Sequence, residues 1–135
     1  LSHSSAASDV YKRQILSSSE NAELEQISRA ISSNPVLISD NNYFDTEIIK
    51  ASHGKIISKG GAEGILCLGK LRDGIGLALK VEDGSKRAKH AVGLHLIKQL
   101  DWITNIRIQD IEEKIFSLPE GVNLEVKGEL KFQES

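Results

Sequence analysis

The chain is poor in the residues that staple or anchor a fold. It has one cysteine in 135 residues, which excludes an internal disulfide and any multi-cysteine metal cage. Aromatics make up only 4% and hydrophobic residues 39%, the latter below the usual globular share. There is no basic surplus. Lys plus Arg number 17 against 19 Asp plus Glu, a net charge of -2, which speaks against a nucleic-acid binder. No apolar run approaches the length of a membrane span. The Ser-rich start lacks the apolar stretch of a secretory signal. These bounds fit a soluble, cytoplasmic chain of one small domain, or a piece of a larger one, with neither nucleic acid nor membrane as partner.

Leu1 to Gln14 looks foreign to the rest. It has no helical or strand periodicity and too little apolar surface to offset the entropy of ordering. Its wording resembles translated sequencing-adapter text, with a natural disordered tail as the plain alternative. Under the first reading residues 1–14 are artefactual, and residues 15–135 are part of a protein that extends further upstream. Both readings leave this stretch out of fold reasoning.

What remains reads as α+β. Ser19 to Ser33 is expected to be a helix, with Ser19 as cap, Glu20 and Glu23 in the first turn, and Ala22, Ile27, Ala30 and Ile31 as its apolar stripe. Asn34 and Pro35 stop it. Val36 to Ile38 reads as extended, Ser39 to Asn42 as a turn, and Asp45 as the N-cap of a short helix from Thr46 to Ser52. Lys55 to Ser58, Ile65 to Leu68 and Ile75 to Val81 are apolar runs expected to be neighbouring strands. Asp73-Gly74 signals a hairpin between the second and third. Ser85 caps a long helix to about Leu100, with Ala88, Ala91, Val92, Leu96 and Leu100 on one face. Val122 to Phe132 alternates weakly and could be a last edge strand. The expected architecture is a mainly antiparallel sheet covered by helices.

The informative segment is Lys59-Gly60-Gly61-Ala62-Glu63-Gly64. Three glycines in five positions let a backbone bend sharply or approach a ligand closely. A lysine at the mouth of such a turn can offer a compact positive charge to a carboxylate, or a proton-transfer group if burial lowers its pKa. Glu63 could pair with it. Pattern alone favours the plain alternative, a glycine-bearing turn with a surface lysine.

The run Gly54-Lys55-Ile56-Ile57-Ser58-Lys59-Gly60-Gly61-Ala62-Glu63-Gly64, followed by Cys67, resembles the C-terminal signature of the asparaginase II family. These are serine-lysine amidohydrolases related to rhizobial L-asparaginase. The resemblance continues through Gly76 to Gly84 and Arg87-Ala88. Upstream, Asn34-Pro35 and Phe44-Asp45-Thr46-Glu47 fit the same family, so that it covers about Leu16 to Phe132. It implies a fold similar to serine β-lactamases and penicillin-binding proteins, in which a Lys-Thr-Gly or Lys-Ser-Gly strand faces a Ser-x-x-Lys nucleophile. Lys59-Gly60-Gly61 takes that strand position. The resemblance implies that Lys59 activates a serine or holds the substrate α-carboxylate, and that Gly60, Gly61 and Glu63 contact asparagine. Lys80, Asp45, Thr46 and Cys67 could stand behind them. It also implies that the nucleophile comes from a segment missing here, leaving this chain an inactive fragment, and that the full-length parent could be a homo-oligomer. A silent domain of the same fold, or a β-lactamase-like hydrolase of another amide, is the alternative.

Other candidates have plainer explanations. Ser52-His53-Gly54-Lys55 matches Ser-x-x-Lys literally, but it ends a helix instead of opening one. Asp45 and Thr46 read equally well as helix capping. Relatives carry Gly-Arg ahead of that pair, where this chain has Asn42-Tyr43-Phe44, which weakens the case for substrate contact there. Cys67 reads as a buried strand residue. The rhizobial relative holds zinc with cysteines and a lysine. No matching ligand set stands here, so no metal and no cofactor is expected. His90 and His95 are five apart, not the spacing of a helical metal pair. His95 reads as a core histidine, Lys86, Arg87 and Lys89 as a solvated helix start, and Trp102 as a packing anchor.

Overall fold

The computed structural model describes residues 22–131. The expectations for residues 1–14, Ser19, Glu20 and Phe132 lie outside them. Among the described residues four helices accompany a three-stranded antiparallel sheet: α1 (Ala22–Ser33), α2 (Phe44–Ala51), β1 (Ile56–Gly60), β2 (Ile65–Lys70), β3 (Ile75–Lys80), α3 (Lys86–Gln99) and α4 (Asn105–Ile115). The α+β class expected from the sequence is what forms. Among the described residues no helix is long and apolar enough to cross a membrane.

The sheet runs in the order β1-β2-β3. Its register pairs Ser58 with Leu68, Gly60 with Leu66, Leu66 with Leu79 and Leu68 with Leu77. Strand side chains alternate between faces, so Ile56, Leu66, Leu68, Leu77 and Leu79 share one face. They pack there with Phe44 and Ile48 of α2, Leu94 and Ile97 of α3, Ile103, and Ile108 and Ile111 of α4. The other face carries Ile57, Lys59, Ile65, Cys67, Ala78 and Lys80 by the same register. Asp73-Gly74 does mark a hairpin, with Arg72 at φ 69° and Gly74 at φ 66° in the turn.

Several local expectations are corrected. The expected stripe of α1 is not its buried face: Ile27 is 49% exposed and Ala22 and Ala30 are also exposed. The helix instead turns Ser28 inward and sets Ser32 against Gly54, whose carbonyl accepts from Ser32 Oγ at 2.9 Å. Small serines allow a close approach that an apolar stripe would block. Residues Pro35–Leu37 form a 3-10 turn, not an extended piece. The fixed φ of Pro35 suits a first helical position.

Asp45 is not the N-cap of α2. Tyr43 holds that place, and Asp45 sits inside the first turn with its carboxylate aimed at β1. Residues Phe44 to Ile49 are all buried, so α2 is enclosed around its first six residues and is exposed only at Lys50.

Ser85 caps α3 as expected, its hydroxyl accepting from the Ala88 amide at 3.3 Å. The buried face is different, however: Lys89, Ala91, Gly93, Leu94 and Ile97. A β-carbon on Gly93 would stand 2.5 Å from Leu66 Cδ2 and 3.2 Å from Phe44 Cζ. The bare glycine brings the helix down onto β2, and rotates its nominal apolar face partly outward. His95 is consequently no core histidine; its Nε2 is bonded to the Gly128 carbonyl at 2.8 Å.

Helix α4 was not anticipated. Its signal was nevertheless in the sequence: Ile108, Ile111 and Ile115 stand at i, i+3 and i+7, the first two buried and the third packed against the core. The edge strand expected from Val122 does not form in the described residues, which run irregularly beside α3. The Gln99 side chain takes both backbone groups of Leu130, at 2.9 Å each. Gly121 and Gly128 have positive φ and interrupt the alternation a strand would need.

Candidate active site

The N-terminal turns of α2 and α3 meet the end of β1 at a cleft of about 450 Å³. Crossing elements place Phe44-Asp45 of α2 opposite Lys89-His90 of α3, with Gly60 and Gly61 between them. The end of α4 closes one side with Ile115 and Phe116.

Asp45 is 8% exposed. Its Oδ1 accepts from Ser58 Oγ at 2.6 Å and its Oδ2 from the Gly60 amide at 2.8 Å. These bonds take up an outward-facing amide that an edge strand would otherwise leave open. From the other side, Lys89 Nζ donates to the Gly61 carbonyl at 3.0 Å and the Ile65 carbonyl at 3.3 Å. Gly60 gives these side chains their close approach: a β-carbon there would stand 3.1 Å from Lys89 Nζ and 3.4 Å from Asp45 Oδ2, pressing on the tip of the lysine. Lys59 is exposed, and its Nζ donates to the Gly60 carbonyl at 2.7 Å.

The electrostatics are lopsided. Lys59, Lys86, Arg87 and Lys89 line the cleft against one carboxylate, Asp45, an arrangement that favours an anionic ligand group. Burial lowers the pKa of Lys89; Asp45 opposes this, while Lys86 and Lys59 add to it. Burial also pushes the pKa of His90 down to about 4, helped by the charges of Lys89 and Lys86 and resisted by Asp45. At neutral pH His90 is therefore an uncharged ring, stacked on Phe44.

Of the residues singled out from sequence, the cleft brings together Lys59, Gly60, Gly61 and Asp45. Glu63 is exposed in the β1–β2 turn at φ 54°, and its carbonyl accepts from Lys80 Nζ at 2.9 Å. Thr46 is fully buried, and its hydroxyl donates to the Ser39 carbonyl at 2.6 Å, pinning the preceding loop. Cys67 is buried in β2 as the cross-strand partner of Lys59. Ser52 caps the end of α2; its hydroxyl donates to the Ile49 carbonyl and accepts from the Ile56 amide, at 3.0 Å each. Among the described residues no three His, Cys, Asp or Glu side chains gather as a metal site would need.

Lys89 is the residue that sequence reasoning misplaced. It was expected on a solvated helix start, yet it is 5% exposed. A signal was there: Lys89, Gly93 and Ile97 are spaced i, i+4, i+8 and so share a face. A lysine and a glycine do not register in a hydrophobic stripe.

The family model of L-asparaginase II matches residues 4–132. The chain belongs to the L-asparaginase II family. Curated proteins gave no match to the chain. The family match spans the whole glycine segment and both helices of the cleft, so Lys59, Gly60, Gly61, Asp45 and Lys89 of this L-asparaginase II member all lie within it.

Proposed function

We propose that these residues form one wall of the active cleft of an L-asparaginase, which hydrolyses the side-chain amide of L-asparagine to aspartate and ammonia. The observation that carries this is Lys59-Gly60-Gly61 lining a cation-rich cleft in a chain of this family. The cations suit the α-carboxylate of a free amino acid. The antiparallel sheet with β1 at its edge is compatible with a β-lactamase-like arrangement, in which Lys59 faces a nucleophile.

In this reading the nucleophilic serine comes from outside these 135 residues. Ser58, the serine of the strand beside the cleft, is fully buried and its hydroxyl donates a hydrogen bond to Asp45, which supports that reading. The serine oxygen attacks the amide carbon while its proton passes to a neutral lysine. The resulting ammonium protonates the leaving nitrogen, ammonia departs, and water cleaves the acyl-enzyme.

The test is ammonia release from L-asparagine, L-glutamine and a β-lactam. It is run on this chain and on the longer protein recovered by extending its reading frame upstream. The longer protein should turn over asparagine and neither of the others, and the 135 residues alone should be inactive. Turnover by this chain that is abolished in Ser52→Ala would overturn the assignment of the nucleophile. No release from asparagine by either form would overturn the function.

A further inference from the structure

We propose that Lys89 and Asp45 are positioning residues that act through Lys59, gripping the Gly60-Gly61 backbone from two different helices and so fixing where the Lys59 ammonium stands. The inference rests on the asparaginase reading above and adds the residues that make its lysine effective.

A glycine-rich edge turn is intrinsically loose, since glycine has the most conformational freedom to lose. The Lys59-Gly60-Gly61 turn is nevertheless held at successive backbone groups. Asp45 takes the Gly60 amide from α2. Lys89 takes the Gly61 and Ile65 carbonyls, on the two sides of the turn, from α3. The Gly61 amide itself bonds the Ile65 carbonyl at 2.8 Å. Lys59 Nζ closes on the Gly60 carbonyl, so Gly60 is fixed by Asp45 on its amide and touched by Lys59 on its carbonyl.

Both anchors are themselves preorganised. Asp45 is braced by Ser58. Lys89 sits one residue before His90, whose ring is stacked on Phe44, the neighbour of Asp45. The glycines follow from this: Gly60 leaves room for two side chains to reach the backbone. Bonds to a charged group are stronger than neutral ones, and buried polar groups that lose a partner cost the most. Removing Lys89 takes the lysine donor from the Gly61 carbonyl and leaves the Ile65 carbonyl with the Gly61 amide alone, which loosens the turn. A displacement of even about 1 Å at a proton-transfer group can cost about a hundredfold in rate.

The experiment is a double-mutant cycle on the asparagine-cleaving protein that contains these residues, read as kcat and KM for ammonia release. Lys89→Met should lower kcat about tenfold or more with KM changed less than about threefold. Lys89→Arg, which keeps charged donors, should recover most of the loss. In a Lys59→Ala background, Lys89→Met should change kcat less than about twofold, because residues acting through one another are not additive. Independent, multiplying losses would overturn the proposal. So would full activity of Lys89→Met. If that variant fails to fold in a thermal melt, Lys89→Gln, which can still donate to one carbonyl, is read in its place. Unfolding of both would assign Lys89 to the fold alone and overturn the proposal. Absence of turnover in the unsubstituted protein would instead remove the asparaginase reading, and amide hydrogen exchange then decides the clamp. Faster exchange at Gly61 in Lys89→Met than in the unsubstituted chain would sustain it, and equal rates would end it.

Discussion

The rings of Phe44 and His90 lie face to face, centroids 4.4 Å apart and 6° from parallel. One contact thereby locks α2 to α3 at the floor of the cleft. Burial of the His90 ring, with the charges of Lys89 and Lys86, also makes the fold sensitive to acid. The folded His90 titrates at about 4, against about 6.5 when unfolded. The unfolded chain takes up the proton first, so the contribution of His90 to stability is full well above pH 6.5 and is lost as pH drops through 6.5 toward 4. The loss should be roughly 1–2 kcal/mol after allowing for partial solvent screening. Urea unfolding of this chain from pH 7.5 to 4 checks it. His90→Gln should flatten the slope in that window, and an unchanged slope would assign it to other groups.

Lys59 carries the functional assignment. Lys59→Ala in the asparagine-cleaving protein should reduce turnover by at least about a hundredfold if Lys59 assists proton transfer. Its exposure on the edge strand means that the thermal midpoint should hardly move. Near-normal kinetics would demote Lys59 to a surface residue.

Gly93 should behave against the usual helix rule. Alanine for glycine in an exposed helix gains about 1 kcal/mol. Here the added methyl would meet the buried Leu66 and the stacked Phe44 ring, neither of which has room to yield. Gly93→Ala should therefore lose about 1–3 kcal/mol, measured by chemical denaturation. Stabilisation would show that α3 can lift off β2 at no cost.

Glu47 is 4% exposed and is met by Lys114 Nζ at 2.9 Å, 67 residues away. Burial raises its pKa, but the Lys114 bond, the Asn42 amide and the charges of Lys114 and Lys50 outweigh it and hold the carboxyl below its usual value. Its contribution is therefore present above about pH 4.5 and is lost as pH falls through the lower folded value. Glu47→Gln should destabilise the chain by about 1–2 kcal/mol at pH 7. The gap to the unsubstituted chain should narrow in acid. A gap that stays constant with pH would mean that packing, not charge, is what the carboxylate contributes.

Gln99 holds Leu130 by both backbone groups on the surface. Gln99→Ala should change the unfolding free energy by less than about 0.5 kcal/mol. It should speed hydrogen exchange at the Leu130 amide severalfold, because exposed local bonds open independently of the core. Unaltered exchange would show that other contacts hold the tail.

The sequence by itself determined the α+β class, the three strands, the Asp73-Gly74 hairpin and the Ser85 cap. Each rests on local chemistry: apolar runs cut by glycine, a turn that needs positive φ, and a hydroxyl in reach of a free amide. It also marked Lys59-Gly60-Gly61 through the spacing of glycines. Only the tertiary structure decided which face of α3 is buried and that Lys89 lies within it. Gly93 admits Leu66 and Phe44, and a polar side chain can be buried once two carbonyls await it. Likewise Asp45, two residues past the true cap, became an anchor for β1 because the amide it satisfies is 15 residues away. Hydrogen-bond partners that distant leave no period in a sequence, and they came together here only when two helices crossed over a bare glycine.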